Sequence, residues 1–514
     1  MKSEPILTWK GRRVRSPDDS PEKTARKVPS APLRPGSLFF VPSPLEGWGV
    51  DVLLERLPAE AAVVLFEKDP ALKQHCQDVL ERFLGRNLID ARLLWLETDT
   101  EEAVASLFTR LPLDRLRRCE FLTLNGAWLT HAERYRQVFA RLEEGLNRWW
   151  SNRITSLHLG PLWVRNLIAN LKGSRFSPAA WPDWKQETVV VLGAGVTVER
   201  TLPWLAANRD FCRVLAVDTA LPLLRAWSII PDAVVCVEAQ HANLRDFSGW
   251  RGASVALFAD LTSLPASTRV FDGPLFWYVS EFAPVSLWNR WPWAPSAVPR
   301  LPALGSVGVV AAWIAWRLTQ GAVVLSGLDF CFPPGKTHAR GAPALEEMAG
   351  RTRRLNPFEQ VGSWERSGVH WTSDRKWLTT GVLEGYAGLL AERAADHAGR
   401  TWLWSQAGVS LGLRVWPRLT AVKPLAPVTE TRVPKDSETA KWLAQEKVRC
   451  VAILDSFVQL NQSPNDDLVW DKLESQLREV DYLTFSFPDP EPRRSSDWLI
   501  RAQVQVRWLL ERLG

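Results

Sequence analysis

The chain has 514 residues, more than one hydrophobic core usually serves, so roughly two to four domains are expected. A composition of 46% hydrophobic and 23% charged residues is that of an ordinary globular protein rather than a disordered or fibrous one. The net charge of +6 (63 basic against 57 acidic residues) is too dilute over this length to mark a nucleic-acid binder.

The amino-terminal Met1-Lys2-Ser3-Glu4-Pro5 lacks the apolar stretch of a secretory signal. The most apolar long run, Val307 to Trp316, stops at Arg317, short of the roughly 20 residues a membrane span needs. A cytoplasmic protein without membrane insertion is therefore expected. Six cysteines, at 76, 119, 212, 236, 331 and 450, show no Cys-x-x-Cys pair and no nearby His at zinc spacing, which argues against disulfides and a structural metal. The 28 Trp read as core filler, because each indole buries a large apolar area.

In chain order, residues 1–35 carry many Pro and charged residues without periodicity and read as a disordered tail, basic at Lys10, Arg12, Arg13 and Arg15. Residues 36–130 read as a smaller α/β domain of degenerate Rossmann type. Strand candidates stand at Phe39-Phe40-Val41 and Ala61–Phe66, with a helix over Val50–Leu57. Glu67 ends the second strand, where doubly wound domains often face a ribose. The first turn, Pro42-Ser43-Pro44-Leu45-Glu46-Gly47, lacks the glycines of a phosphate loop.

Residues 131–185 read as a helical connector, one helix ending near Leu159-Gly160-Pro161 and a second running from Leu162 to Leu171. The central domain, 186–415, opens with Thr188-Val189-Val190-Val191-Leu192, the continuous apolar run of a buried parallel strand. Arg213–Val217, Ala233–Val237, Ser254–Phe258, Leu275–Val279 and Ala322–Ser326 repeat it between helices, the pattern of a Rossmann-like parallel sheet covered on both faces. Pro417, Pro424, Pro427 and Pro434 mark a linker over 416–436. Beyond it, 437–462, 465–480 and 495–513 read as the helices of a C-terminal domain spanning 437–514.

Four polar clusters close predicted strands of the central domain, on the edge where open α/β sheets bind ligands. The first is Gly193-Ala194-Gly195-Val196-Thr197-Val198, whose glycines and following helix could admit a phosphate. Thr197 either donates to that phosphate or caps the helix, and Asp218 closes the next strand. The second is Glu238-Ala239-Gln240-His241. The third, Gly305-Ser306-Val307-Gly308, starts a helix and offers another anion site or a plain cap. The fourth, Ser326-Gly327-Leu328-Asp329 followed by Lys336-Thr337-His338, supplies an acid and an imidazole suited to proton transfer near neutral pH.

These runs, with Ala216-Val217-Asp218-Thr219-Ala220-Leu221-Pro222-Leu223-Leu224, Ile230-Pro231-Asp232-Ala233-Val234-Val235 and Leu159-Gly160-Pro161-Leu162-Trp163-Val164-Arg165-Asn166, resemble in order the motility-associated factor (Maf) flagellin glycosyltransferases. That family shares its central domain with 6-hydroxymethylpterin diphosphokinase MptE-like proteins, and the domain is similar to that of bacterial sialyltransferases.

The resemblance implies transfer of a nonulosonic, sialic-acid-like sugar from its CMP carrier to Ser or Thr of flagellin, with no permanently bound cofactor and no metal site. Carried over, Gly193, Gly195, Thr197, Asp218, Glu238, Gly305 and Ser306 would bind the nucleotide, and Gln240, Lys336 and Thr337 the substrate. Asp329 and His338 would be catalytic.

The family turn is usually Gly-x-Gly-Pro-Ser-Leu, replaced here by Val196-Thr197-Val198 after the glycines. A pterin diphosphokinase, using ATP and magnesium, is the alternative. It would call for a paired Asp-x-Asp where this chain has Glu238-Ala239-Gln240, which favours the sugar transferase. A catalytically diverged nucleotide- or flagellin-binding protein is the third reading.

Overall fold

The computed structural model describes residues 8–9, 11–16, 19–84, 92–355, 357, 368–417, 428–429, 431–432, 437–489 and 491–514. The chain divides into two compact units, Met1–Ser156 and Leu157–Gly514.

In the first unit, β1 (Ser37–Pro42), β2 (Ala62–Phe66), β3 (Leu93–Trp95) and β4 (Arg118–Phe121) form a parallel sheet in the order β3-β2-β1-β4. This is the strand order of one half of a doubly wound sheet, with helices α1 (Val50–Glu55), α2 (Pro70–Leu84) and α3 (Glu101–Phe108) following the first three strands. Its carboxyl edge is closed by its own side chains. The Glu67 carboxylate accepts hydrogen bonds from Ser43 Oγ (2.5 Å), Tyr135 Oη (2.8 Å) and the Asp69 amide (2.8 Å), so it faces no ribose.

The expected tail departs from its reading. Pro21–Ala25 is a helix capped by Ser20, and Val14, Val28 and Leu33 are buried. Arg15 forms an ion pair with Glu46 at 2.5 Å with both side chains almost fully enclosed, and it stacks over Trp48. Apolar residues spaced through a polar stretch were enough to fold it. Residues 1–7, Lys10 and 17–18 lie outside the described residues.

In the second unit, nine parallel strands follow: β5 (Val189–Leu192), β6 (Arg213–Val217), β7 (Ala233–Cys236), β8 (Ala256–Asp260), β9 (Leu275–Glu281), β10 (Arg300–Pro302), β11 (Val323–Ser326), β12 (Thr401–Leu403) and β13 (Arg414–Val415). They are ordered β10-β9-β8-β7-β6-β5-β11-β12-β13. The chain winds outward from β5 to β10, then returns to set β11 against the free side of β5, pairing Val189 with Val323 and Leu192 with Ser326. The direction of winding therefore reverses between β5 and β11, and a crevice opens at such a point at the strands' carboxyl ends.

Both faces of this sheet are covered. Val189, Val191, Leu215 and Val235 face α5 (Val307–Leu318) and α6 (Gly381–Ala395). Val190, Leu192, Val214 and Val234 face the opposite layer, built from α4 (Ala132–Lys172) after residue 156 and from the C-terminal helices α7 (Ser437–Gln462), α8 (Asp467–Glu479) and α9 (Ser496–Leu513).

Two expectations are corrected here. The C-terminal helices share one core with the sheet, through Trp442, Phe457, Leu477, Trp498 and Leu509, rather than forming a domain of their own. The connector contains one unbroken helix of 41 residues with Pro161 inside it. A helix-interior proline costs about 3 kcal/mol. Burial of Val164, Leu167, Ile168 and Leu171 on the sheet offsets this, at about 1.5–3 kcal/mol per side chain. Gly160 lets the Phe485 ring approach to where a Cβ would stand, 2.4 Å from Cζ.

Residues 418–427, 430 and 433–436, most of the segment read as a linker, lie outside the described residues. Among the described residues no helix is long and apolar enough to cross a membrane. All six cysteines are free.

Candidate functional site

The β5 turn (Gly193–Val198) and the β11 turn (Gly327–Asp329) meet at the winding reversal. Their backbones are hydrogen-bonded directly, Gly193 N–H to Ser326 O (2.8 Å) and Gly195 N–H to Gly327 O (2.9 Å). A Cβ on Gly193 would lie 2.3 Å from the Gly327 carbonyl oxygen, and one on Gly195 2.6 Å from the same atom. Leu328 is wedged between two glycines, since its Cδ2 would meet a Cβ on Gly193 at 2.6 Å and on Gly308 at 2.5 Å. Close packing of two turns therefore requires these glycines. Their amide hydrogens are already spent within the chain, which overturns the reading of Gly193 and Gly195 as a phosphate cradle.

Thr197 and Asp329 are tied together rather than turned to a ligand. The Thr197 amide donates to Asp329 Oδ2 at 2.9 Å, and its hydroxyl donates to Oδ1. Asp329 is 5% exposed and sits where an incoming anion would otherwise meet the turn. Burial pushes its pKa up to about 6, against the pull of the two Thr197 bonds and of Arg200. An internal carboxylate thus takes the place of the external phosphate expected at Thr197, and Asp329 joins the two turns instead of projecting into solvent.

The Lys336–His338 segment returns across the β5 turn. Ala339 N–H donates to Ala194 O (2.9 Å), Lys336 Nζ pairs with Glu199 (2.7 Å), and Arg340 N–H donates to Glu199 Oε1 (2.7 Å). Lys336 therefore neutralises Glu199 and is not a free substrate cation. Thr337 is buried, and its Oγ1 lies 3.1 Å from His338 Nδ1. His338 itself is half-buried above the turn. Ser306 caps α5 without a side-chain bond, so the first turn of α5 keeps its amides beside Leu328, while Gly305 takes a left-handed φ of +68° against Tyr386.

Further along the same edge, Asp218, Asp246 and Glu238 form an acidic group. Asp218 is 2% exposed and its pKa is pushed up to about 7, first by burial and then by the charges of Asp246 and Glu238. Asp246 is raised to about 6, mainly by burial, with Arg245 opposing. Glu238 accepts the Gln240 amide at 3.1 Å, and Gln240 is exposed.

Asp246 was not singled out from the sequence, nor were Asn166 and Asn170. The Asn166 amide donates to Ala239 O (3.1 Å) and Thr262 O (3.0 Å), and the Asn170 amide to Leu261 O and Ser263 O (both 2.8 Å). Two Asn four residues apart on the apolar stripe of α4 were the available signal, since polar groups in such a stripe must find partners. They fix the loops after β7 and β8. Among the described residues no group of three or more His, Cys, Asp or Glu is placed to hold a metal ion.

A Rossmann-like parallel sheet with its polar loops gathered at the winding reversal defines the class. A family model described as 6-hydroxymethylpterin diphosphokinase MptE-like matches residues 163–335, which cover β5 to β11 and the Asn166–Asn170 stripe. The solved MAf glycosyltransferase from Magnetospirillum magneticum AMB-1 shares the fold over 98% of this chain and 84% of its own, with a TM-score of 0.57 and 14% identity. The resemblance to Maf and MptE-like proteins is thus supported, in fold by the first structure and in sequence by the second family.

Two uncharacterized proteins of Treponema pallidum (strain Nichols) are also similar. One is 26% identical over 384 residues, 72% of this chain and 66% of the relative; the other is 29% identical over 88 residues, 17% and 42%. The chain thus spans just under two thirds of the first relative's length and less than half of the second's.

Proposed function

We propose that the chain is a cytoplasmic glycosyltransferase that moves a nonulosonic sugar from a CMP donor to a Ser or Thr hydroxyl of flagellin. What supports this reading is the packing of the β5 turn, the β11 turn and the loop carrying His338 against one another at the winding reversal, in a fold shared with a Maf glycosyltransferase. His338 is the general base: it takes the acceptor hydroxyl proton as the new C–O bond forms at the sugar's anomeric carbon and the bond to the CMP phosphate breaks. Such a group contributes about 10²–10⁴-fold in rate.

With the Gly193, Gly195 and Thr197 amides committed internally, the donor's phosphate is assigned to Ser306 and the first turn of α5. There the amides and the helix dipole favour an anion. Asp218 and Glu238 line the neighbouring loops.

The MptE-like family model over residues 163–335 favours a second reading, a pyrophosphotransferase that uses ATP with magnesium. A diverged nucleotide- or flagellin-binding protein is the third. Calorimetry with CMP and with Mg-ATP separates them. Binding of CMP together with a flagellin mass that falls when the gene is deleted supports the transferase; binding of ATP but not CMP refutes it. CMP binding with an unchanged flagellin mass supports the diverged binder.

A further inference from the structure

His338 stands in a loop without regular secondary structure, yet general-base catalysis needs its ring fixed to within fractions of an ångström. Its flanks are held by one side chain from the other side of the crevice. Glu199, in the short helical turn Val196–Arg200 that follows the glycines, accepts Lys336 Nζ two residues before the imidazole and the Arg340 amide two residues after it, each at 2.7 Å. The Ala339 amide adds a third bond, to Ala194 O of the same turn.

Both oxygens of one carboxylate thus clamp the loop symmetrically about His338. The Glu199 pKa is lowered although burial opposes it, because the Arg340 amide and Lys336 favour the ionised form. The next tie along the segment, Arg245 with Glu347, joins two side chains that are 45% and 43% exposed, and pairs of that kind contribute little. Beside the Ala339 backbone bond and the contact of Thr337 Oγ1 with His338 Nδ1 (3.1 Å), Glu199 supplies the charged hold on both flanks of the imidazole.

We infer that Glu199 is the positioning residue that holds His338 over the crevice, an inference that rests on the catalytic reading of His338. Glu199 touches neither donor nor acceptor, so its removal acts on turnover rather than on donor binding. Glu199→Ala should lower kcat by about 10²-fold, the typical penalty of a 1 Å misplacement, with KM for the CMP-sugar within a factor of about two. Glu199→Gln keeps an acceptor for the Arg340 amide but loses the charge facing Lys336, and should recover part of the rate. In the double variant with His338→Ala, the loss should not exceed that of His338→Ala alone.

A second measurement needs no turnover. With only seven histidines, the His338 imidazole resonance can be assigned in labelled protein. Glu199→Ala should move and narrow it, and should speed hydrogen exchange at Ala339 and Arg340 about tenfold, leaving Tm within a few degrees.

An unaltered His338 resonance with unaltered exchange overturns the inference, as does a multiplicative loss in the double variant. If instead the loop loosens but His338→Ala retains full transfer, or the wild type transfers nothing, the clamp stands as geometry. The catalytic reading, and with it the positioning role, then falls.

Discussion

The Thr197–Asp329 tie predicts a particular pH dependence of stability. Asp329 ionises at about 6 in the folded protein, against an ordinary value of 3.8. Between about pH 4 and 6 the native state therefore holds a proton that the unfolded chain has released, and stability contributed at this site falls as pH rises. At about 1.4 kcal/mol per pKa unit, the ionised carboxylate costs the native state about 3 kcal/mol once the pH is above 6.

Asp329→Asn removes that titration and keeps an oxygen for the Thr197 amide. Urea unfolding followed by tryptophan fluorescence should show this variant gaining about 2–3 kcal/mol relative to wild type between pH 4 and pH 8. Thr197→Val should do the opposite. It removes the hydroxyl that solvates the carboxylate, so its destabilisation, about 1–3 kcal/mol, should be larger at pH 8 than at pH 5. A gap between Asp329→Asn and wild type that is constant across this range would refute the reasoning.

Two further outcomes follow from the packing. Gly193→Ala has no room, with backbone oxygen 2.3 Å from the new methyl, and should cost several kcal/mol or prevent folding. Gly388→Ala, in the middle of α6 with nothing within 4 Å, should be neutral or gain up to about 1 kcal/mol, read as a shift in Tm. Asn170→Leu strips partners from two buried carbonyls and should destabilise by about 2–6 kcal/mol, each orphaned acceptor costing about 1–3. A denaturation midpoint equal to wild type would contradict the role assigned to α4.

The central strands could be read from sequence because parallel strands covered on both faces are continuous apolar runs, and Arg213–Val217 appears with the bounds its pattern suggested. The short strands Arg118–Phe121, Thr401–Leu403 and Arg414–Val415 were missed, being edge or near-edge elements that need few apolar residues. That the polar clusters would gather along one edge was legible for three of the four, which directly followed strands readable in the sequence, whereas the short strand before Gly305, Arg300–Pro302, was not read. What each residue does there was not legible. Asp329 meets Thr197 across 132 residues, and the glycines answer to Leu328, a residue with no polar signature. Non-local packing of this kind leaves no spacing to read. Pro161 misled because its local cost is visible and the burial that offsets it lies elsewhere in the chain.

The common core of the sheet and the three last helices sets how this protein can be cut. Trp442, Trp470 and Trp498 lie in the same apolar interior as Val190 and Val214 of the innermost strands. A chain ending at residue 436 would bare the aromatic residues after β9 that these helices cover, Phe282 against Phe485 and Trp291 and Trp293 against Trp442. The sheet and its helical backing should therefore melt in one transition, and a trimmed version should be insoluble.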